Sequence, residues 1–173
     1  DFVKQIQRES LVLLKNEGNL LPLDKKKIKK VLVTGPLADE SNFMESRYGP
    51  NRLEKVTVLQ GLRNYLKGIA EVDYAKGCDV INQGWPSTEI LPEPLSDTEK
   101  SDIRNAVDKA LDCDVIIAVL GEDEYRTGES RSRTSLDLPG RQQELLEALH
   151  ATGKPVVVVL INGQPLTINW ADK

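Results

Sequence analysis

The sequence predicts an α/β fold, in which helices cover both faces of a mostly parallel sheet to give a three-layer α/β sandwich. Short apolar runs alternate with segments whose apolar residues recur at helical spacing. The two strongest runs, Val115–Leu120 and Val156–Ile161, are apolar throughout, which is typical of strands buried on both faces of a parallel sheet. Strands that alternate with helices form βαβ units, so the strands are expected to be parallel.

Each predicted element has its own local signal. The predicted strands are Val31–Thr34, Val72–Ala75, Val115–Leu120 and Val156–Ile161. The predicted helices are Asp1–Glu17, a helix from Val58 that Gly68 ends, a helix capped by Ser96, and a helix that starts at Asp137-Leu138-Pro139 and ends before Gly153. Ser96 and Glu99 have the spacing of a capping box. The run Val156–Ile161 is too apolar for an edge strand, and we expect the last strands of the sheet to follow Lys173.

Length and composition limit the class of protein. The chain of 173 residues fits a single domain, residues 1–173, with a core of its own. A net charge of −4 and the lack of an extended basic cluster argue against nucleic-acid binding, and no apolar run is long enough to span a membrane. Cys78 and Cys113 have no metal-ligand spacing, and the sequence does not settle whether they pair. We expect a piece of a longer protein, because the chain opens within a helix at Asp1 and without a starting Met.

A long polar loop, Gly121–Pro139, separates the strand Val115–Leu120 from the next helix. Strand-to-helix loops usually take about 2 to 6 residues. The acidic and basic side chains that alternate in this loop are Glu122, Asp123, Glu124, Arg126, Glu129, Arg131 and Arg133. Ligands of open α/β sheets bind beyond the carboxyl ends of the strands, so the loop is either a functional site or a solvated surface loop.

Other common site motifs are missing from the sequence. Gly35 and Pro36 follow the first strand without a glycine-rich dinucleotide or phosphate loop, and Gly163 precedes Gln164 instead of a serine nucleophile. Trp85 and Trp170 are candidates for stacking on a sugar, although burial is the commoner use of tryptophan. Carboxylates in the loop Gly121–Pro139 can serve as general acid, general base or ligand anchor.

Several blocks of the sequence resemble the second domain of glycoside hydrolase family 3, the family of β-glucosidases and β-xylosidases. The blocks cover the chain in order: Arg8–Leu23, Val31–Asp39, Ala75–Asp79, Gly121-Glu122, Gly128–Arg133, Leu138–Gln142 and Gly153–Pro165. The resemblance implies that an N-terminal (β/α)8 barrel of the same parent chain carries an aspartate nucleophile. This domain would then supply the general acid/base glutamate of a retaining exo-β-glycosidase, most simply a β-glucosidase.

The family pattern places the acid/base glutamate on Glu129, counted back from Leu138-Pro139 through Arg133. Glu122 and Glu124 are the alternatives, because the length of the loop varies within the family. Together with Arg126 they are otherwise predicted to bind the substrate. The arginines are expected to hold the loop or the barrel by paired hydrogen bonds. Since the nucleophile is not in this sequence, the chain alone is expected to be inactive.

The resemblance also implies partners and a location. The expected substrate is an oligosaccharide or other β-glycoside with a terminal β-linked sugar, and no metal or organic cofactor is expected. The sequence does not distinguish glucose from xylose, and the family suggests a periplasmic or secreted enzyme. A weak dimer is expected of the chain on its own. The alternatives are a non-catalytic carbohydrate-binding domain and a structural domain that supports a barrel.

Overall fold

The computed structural model of the protein describes residues 2–42, 54–81 and 93–172. The helices are α1 (Phe2–Glu9), α2 (Val58–Leu66), α3 (Asp97–Leu111) and α4 (Gln142–His150), and a short 3-10 turn covers Glu17–Asn19. The strands are β1 (Lys30–Thr34), β2 (Glu71–Ala75), β3 (Val115–Gly121) and β4 (Val156–Ile161). Parts of two predicted loops, including Trp85, lie outside the described residues. None of the described helices has the length and apolarity needed to cross a bilayer.

The described strands form one parallel sheet in the order β2-β1-β3-β4. Strand β3 lies between β1 and β4, with Ile117 opposite Val33 on one side and Val157 on the other. All its residues are buried, as its apolar sequence predicts. The structure therefore confirms the predicted α/β fold class.

Successive residues of the central strands point to opposite faces, and each face has its own core. Ile116, Ala118 and Leu120 of β3 belong to a cluster that contains the buried faces of α3 and α4. Val115, Ile117 and Val119 belong to a second cluster, which includes Leu59 and Leu66 of α2. Because both faces carry apolar side chains and helices, the architecture is a three-layer sandwich.

The predicted capping box defines the start of α3. The Ser96 hydroxyl accepts a hydrogen bond from the Glu99 backbone N–H at 3.2 Å, and Glu99 accepts one from the Ser96 backbone N–H at 2.7 Å. Two backbone donors at the free helix end are thereby satisfied, which confirms the prediction made from the spacing of these residues.

The first helix is shorter than predicted. It ends at Glu9 instead of Glu17, and the residues that follow, Leu11–Leu14, are non-helical and exposed. None of the residues of α1 is buried. Periodic apolar residues stabilise a helix mainly when their face packs on something, and short helices without such packing are marginal in water.

The fourth helix begins at Gln142, later than the predicted start at Asp137-Leu138-Pro139. Gly140 has φ +64°, outside the helical region, and a Cβ at this position would lie 2.3 Å from the carbonyl oxygen of Val80. The chain thus needs a glycine at this close approach before the helix starts.

Strand β4 is an edge strand in the described sheet, and the further strands expected after Lys173 stay a prediction. It pairs with β3 alone, and its residues are half-buried. An all-apolar run indicates that both faces of a strand are covered. It does not indicate how many neighbouring strands that strand has.

Candidate functional site

The loop after β3 begins at a position that only glycine fits. Gly121 has φ +133°, and a Cβ there would lie 1.9 Å from the carbonyl oxygen of Ile161 in β4. The next residue, Glu122, donates its backbone N–H to the same oxygen at 2.9 Å. The loop therefore starts while β3 is still hydrogen-bonded to β4, at the carboxyl edge of the sheet, where α/β proteins bind ligands.

The side chain of Glu122 is buried in a polar network. Its side chain is 0% exposed and forms an ion pair with Arg133, whose side chain is 2% exposed. Its carboxylate also accepts hydrogen bonds from the Gln164 amide at 2.8 Å and from the Gly163 backbone N–H at 3.3 Å. Arg133 also donates to the carbonyl oxygen of Asp137. The network joins the two ends of the loop and ties them to the segment after β4.

A compact turn follows Glu122. The Arg126 guanidinium contacts both carboxylate oxygens of Asp123, at 2.6 and 2.7 Å, and the Tyr125 backbone N–H donates to Asp123 at 3.0 Å. Glu124 is half-buried within this turn. The position of Arg126 is therefore fixed by its carboxylate partner inside the loop.

Glu129 lies in a hydrogen-bonded turn of the loop and is exposed. The Arg131 backbone N–H donates to the Gly128 carbonyl at 3.2 Å, and Ser130 between them has φ +62°. A positive φ at the third position of a hydrogen-bonded turn places the second position, here Glu129, at its outer corner. Glu129 thus lies at the surface on a defined backbone turn.

Arg131 joins this turn to the earlier part of the loop. Its guanidinium donates to the Tyr125 carbonyl at 3.0 Å and lies 5.2 Å from the centre of the Tyr125 ring. With Arg126 and Arg133, it makes three arginines that bond to groups within the loop. The prediction that the arginines hold the loop is confirmed for these contacts.

Gln142, the first residue of α4, binds the backbone at both ends of the loop. Its side-chain amide is fully buried and exchanges two hydrogen bonds with the backbone of Gly121, at 2.7 and 2.8 Å. It also donates to the Pro139 carbonyl at 3.0 Å. A single side chain therefore satisfies backbone groups at both ends of the loop.

The two cysteines take no part in this site. Cys78 and Cys113 are both buried and free, which settles the question of whether they pair. Burial raises the pKa of each thiol above its ordinary value. Since the reactive form of a cysteine is the thiolate, neither residue suits a nucleophile.

The sequence-predicted residues do not share one environment. Glu129 is at the exposed tip of the loop, Glu124 and Arg126 lie in its first turn, and Glu122 is buried at its base. The roles predicted for these four residues stay predictions. Trp170, a candidate for sugar stacking, contacts His150 edge-on with 5.3 Å between ring centres.

The network at the base of the loop was not predicted from the sequence. Glu122 and Arg133 are 11 residues apart, and Gln142 is 21 residues from Gly121. Pairing at such separations leaves no periodic signal. The one available hint was that acids and arginines alternate in the loop, which predicts ion pairs without saying which residues pair.

Comparison with protein families gives an independent view of the chain. Residues 11–173 match the family described as the glycosyl hydrolase family 3 C-terminal domain. The chain is 40% identical to a beta-xylosidase of Formosa agariphila over 98% of its own length and 22% of that protein. It is 37% identical to a periplasmic beta-glucosidase of Salmonella typhimurium over 98% of its own length and 23% of that protein.

Solved structures give the same result. A β-glucosidase from Erythrobacter marinus matches with a TM-score of 0.78 and 38% identity over 94% of this chain and 23% of that one. A family 3 β-glucosidase from Bifidobacterium adolescentis matches with a TM-score of 0.74 and 31% identity over 96% of this chain and 22% of that one. The chain thus spans less than a quarter of the length of these relatives. On this agreement of sequence and fold, the chain belongs to glycoside hydrolase family 3 and corresponds to the C-terminal domain of that family.

Proposed function

We propose that this chain is the α/β sandwich domain of a retaining exo-β-glycosidase and that Glu129 is its general acid/base. The observation that carries the proposal is the exposed position of Glu129 at the corner of a hydrogen-bonded turn, beyond the carboxyl edge of the sheet. A proton donor must come within hydrogen-bonding distance of the bond that breaks, so it has to be accessible to a ligand. Glu122, in contrast, has its carboxylate buried among its partners.

The chemistry requires a second carboxylate from elsewhere. In retaining glycosidases, two carboxyl groups lie roughly 5 to 5.5 Å apart on either side of the glycosidic bond. An aspartate of an N-terminal (β/α)8 barrel would attack the anomeric carbon while Glu129 gives its proton to the departing oxygen. Glu129, now a carboxylate, would then take a proton from the water that releases the sugar from the aspartate.

The other predicted residues are proposed to act around this step. Glu124 and Arg126 lie in the turn before Glu129 and are proposed to contact the substrate. A direct contact between sugar and Glu122 would require its ion pair with Arg133 to open. We therefore assign direct substrate contact to Glu124 ahead of Glu122. A contact through Arg126 would likewise require its ion pair with Asp123 to open.

Substrate class and location follow from the relatives. The matched proteins are named a beta-xylosidase and a periplasmic beta-glucosidase, so the proposed substrate is a β-glycoside or oligosaccharide with a terminal glucose or xylose. The periplasmic relative supports a periplasmic or secreted location. The alternatives, a carbohydrate-binding or purely structural domain, have no observation of their own in their favour among the described residues.

The test compares substrates with different leaving groups in the full-length enzyme. The Glu129→Gln variant is expected to lose about 100-fold or more of kcat/KM on a phenyl β-glycoside, the usual contribution of general acid catalysis. Cleavage of a 2,4-dinitrophenyl β-glycoside should suffer less in its first step, since that leaving group departs without a proton. The 173-residue chain alone should hydrolyse neither substrate.

Glu147→Gln is the matched control, because Glu147 is an exposed glutamate on α4, away from the loop. This variant should keep the wild-type kcat/KM on both substrates. The contrary outcome is that Glu129→Gln retains full activity on the phenyl glycoside while Glu122→Gln or Glu124→Gln loses activity on that substrate selectively. In that case the acid would lie earlier in the loop.

A further inference from the structure

We propose that the buried Glu122–Arg133 pair is a positioning clamp, which holds Glu129 in register with the glycosidic oxygen. The inference rests on the proposed role of Glu129 and adds two residues that act on the reaction without touching the substrate. It starts from the order of the contacts along the loop, which are nested around Glu129.

The nesting has three levels. The outer contact is the ion pair between Glu122 and Arg133 at the base of the loop. Inside it, Arg131 donates to the Tyr125 carbonyl at 3.0 Å. Inside that lies the hydrogen bond at 3.2 Å from the Arg131 N–H to the Gly128 carbonyl, which closes the turn that contains Glu129. Each outer contact fixes the separation of the two chain segments for the contact inside it.

The outer contact is also attached to the sheet. The Glu122 carboxylate receives hydrogen bonds from Gly163 and Gln164, which follow β4 directly, and the Glu122 backbone N–H bonds to Ile161 within β4. Arg133 reaches the carbonyl of Asp137, next to the parallel bridge between Asp137 and Thr167. The base of the loop is therefore bound to rigid elements, whereas Glu129 at the tip is exposed.

Burial makes this pair a poor source of net stability. The side chains of Glu122 and Arg133 are 0% and 2% exposed, so both charges have lost their hydration. The cost of desolvating two charges offsets much of their attraction, and apolar replacements of similar volume are often no less stable. What such a pair does provide is a defined geometry, because the guanidinium and the carboxylate bond only in certain orientations.

Loss of the clamp should therefore affect proton transfer more than binding. A misplacement of the tip by about 1 Å is enough to cost about 100-fold in rate, since the donor must lie within hydrogen-bonding reach of the departing oxygen. The sugar in the barrel would still bind. A good leaving group, which needs no proton, would still depart.

The experiment uses the full-length enzyme with Glu122→Gln, Arg133→Met, the double variant and Arg133→Lys. On phenyl β-glycoside, each of the first two should lose about 100-fold in kcat with KM changed little. On 2,4-dinitrophenyl β-glycoside, kcat/KM, which reports the first step alone, should fall less than about threefold, because the missing proton matters little there. The double variant should lose no more than either single variant, since both changes break the same contact. Arg133→Lys keeps the charge and should recover part of the activity.

Asp73→Asn is the control, since it breaks an ion pair between β2 and α3 that is only partly buried and lies outside the loop. It should lower the melting temperature without any selectivity between leaving groups. The pH profile separates positioning from catalysis. The alkaline limb of kcat/KM on the phenyl substrate should persist in Glu122→Gln and disappear in Glu129→Gln, because the proton donor is still present in the first variant.

Three results would overturn the clamp. The first is an equal loss on both substrates in Glu122→Gln and Arg133→Met, which would mean that the pair merely stabilises the fold. The second is the same leaving-group selectivity in Asp73→Asn. The third is loss of the alkaline limb in Glu122→Gln while Glu129→Gln retains it, which would make Glu122 the acid and refute the proposed function as well. If Glu129→Gln behaves as proposed while the clamp variants match the control, only the clamp fails. Should Glu122→Gln not fold, Arg133→Lys gives the same comparison.

Discussion

Gln142 shows at the scale of one residue how the loop and the sheet are held together. Its buried amide bonds to the N–H and carbonyl of Gly121 and to the Pro139 carbonyl, so no other residue type of similar size satisfies all three groups. These contacts fix the point at which the polypeptide leaves β3 and the point at which it approaches α4.

Replacement of Gln142 by leucine is therefore expected to destabilise the chain. The change leaves buried backbone groups without this partner, and each such group costs about 1 to 3 kcal/mol. Three groups lose this partner, so we predict a loss of roughly 3 kcal/mol or more in the free energy of unfolding, measured by urea denaturation of the 173-residue chain. Gln143→Leu is the control at the next position. Within the part of the chain that the structure describes, this side chain bonds to Glu147 on the same helix, and its loss should cost less than about 0.5 kcal/mol. Equal effects of the two substitutions would refute this account of Gln142.

The comparison of Glu122 with Glu129 also belongs to the residue scale. The two glutamates lie in one loop of alternating charges, and the sequence predicts a site there without separating their environments. In the structure one carboxylate is buried against an arginine and the other is exposed at a turn. That difference depends on which residues meet across the loop, so it is a property of the folded backbone.

At the scale of elements, β2 and α3 are joined by a charged contact. Lys109 of α3 donates to the Asp73 carboxylate of β2 at 2.8 Å and to the Tyr74 carbonyl at the same distance. The hydrogen bond from Lys109 lowers the pKa of Asp73 below its ordinary value. A carboxyl group with a lowered pKa stabilises the fold when it is ionised, and this contribution is lost when the group is protonated.

The pH dependence follows from that direction. The stabilisation should be fully present above the unfolded-state pKa of about 3.9 and should disappear as the pH falls through the lower folded-state value. Asp73→Asn should therefore cost about 1 kcal/mol at pH 7 and progressively less below about pH 4. Urea denaturation at a series of pH values checks this. The control is Asp108→Asn, at an exposed position on α3. A difference that stays constant down to pH 2 would contradict the assignment.

The elements themselves were predictable to different degrees. Strands β1 to β4 follow from apolar runs, and the start of α3 follows from Ser96 and Glu99, because these signals are local. The predicted end of α1 was wrong, because helical periodicity does not reveal whether a face of the helix is packed. The predicted start of α4 was wrong, because Gly140 lies close to the carbonyl of Val80, which is a contact between distant segments. Local patterns therefore predicted the elements, whereas contacts between elements decided their ends.

At the scale of the whole molecule, β4 presents an open edge in the described sheet. Its half-buried valines and its backbone groups on the side away from β3 form a surface on which another strand can pair. We predict weak, concentration-dependent dimerisation of the 173-residue chain, checked by sedimentation velocity. Sulfate should strengthen the association, because it strengthens apolar burial. A single monomeric species at millimolar concentration would contradict the prediction.

The most direct test of the central claim, that Glu129 is the general acid/base, is the product formed by Glu129→Gln full-length enzyme with azide. On a 2,4-dinitrophenyl β-glycoside, the covalent intermediate should accumulate because water has lost its base. Azide needs no base, so it should restore turnover and give a glycosyl azide with retained β configuration, identified by NMR. The result that would contradict the account is an absence of azide product from Glu129→Gln together with its formation by Glu124→Gln or Glu122→Gln.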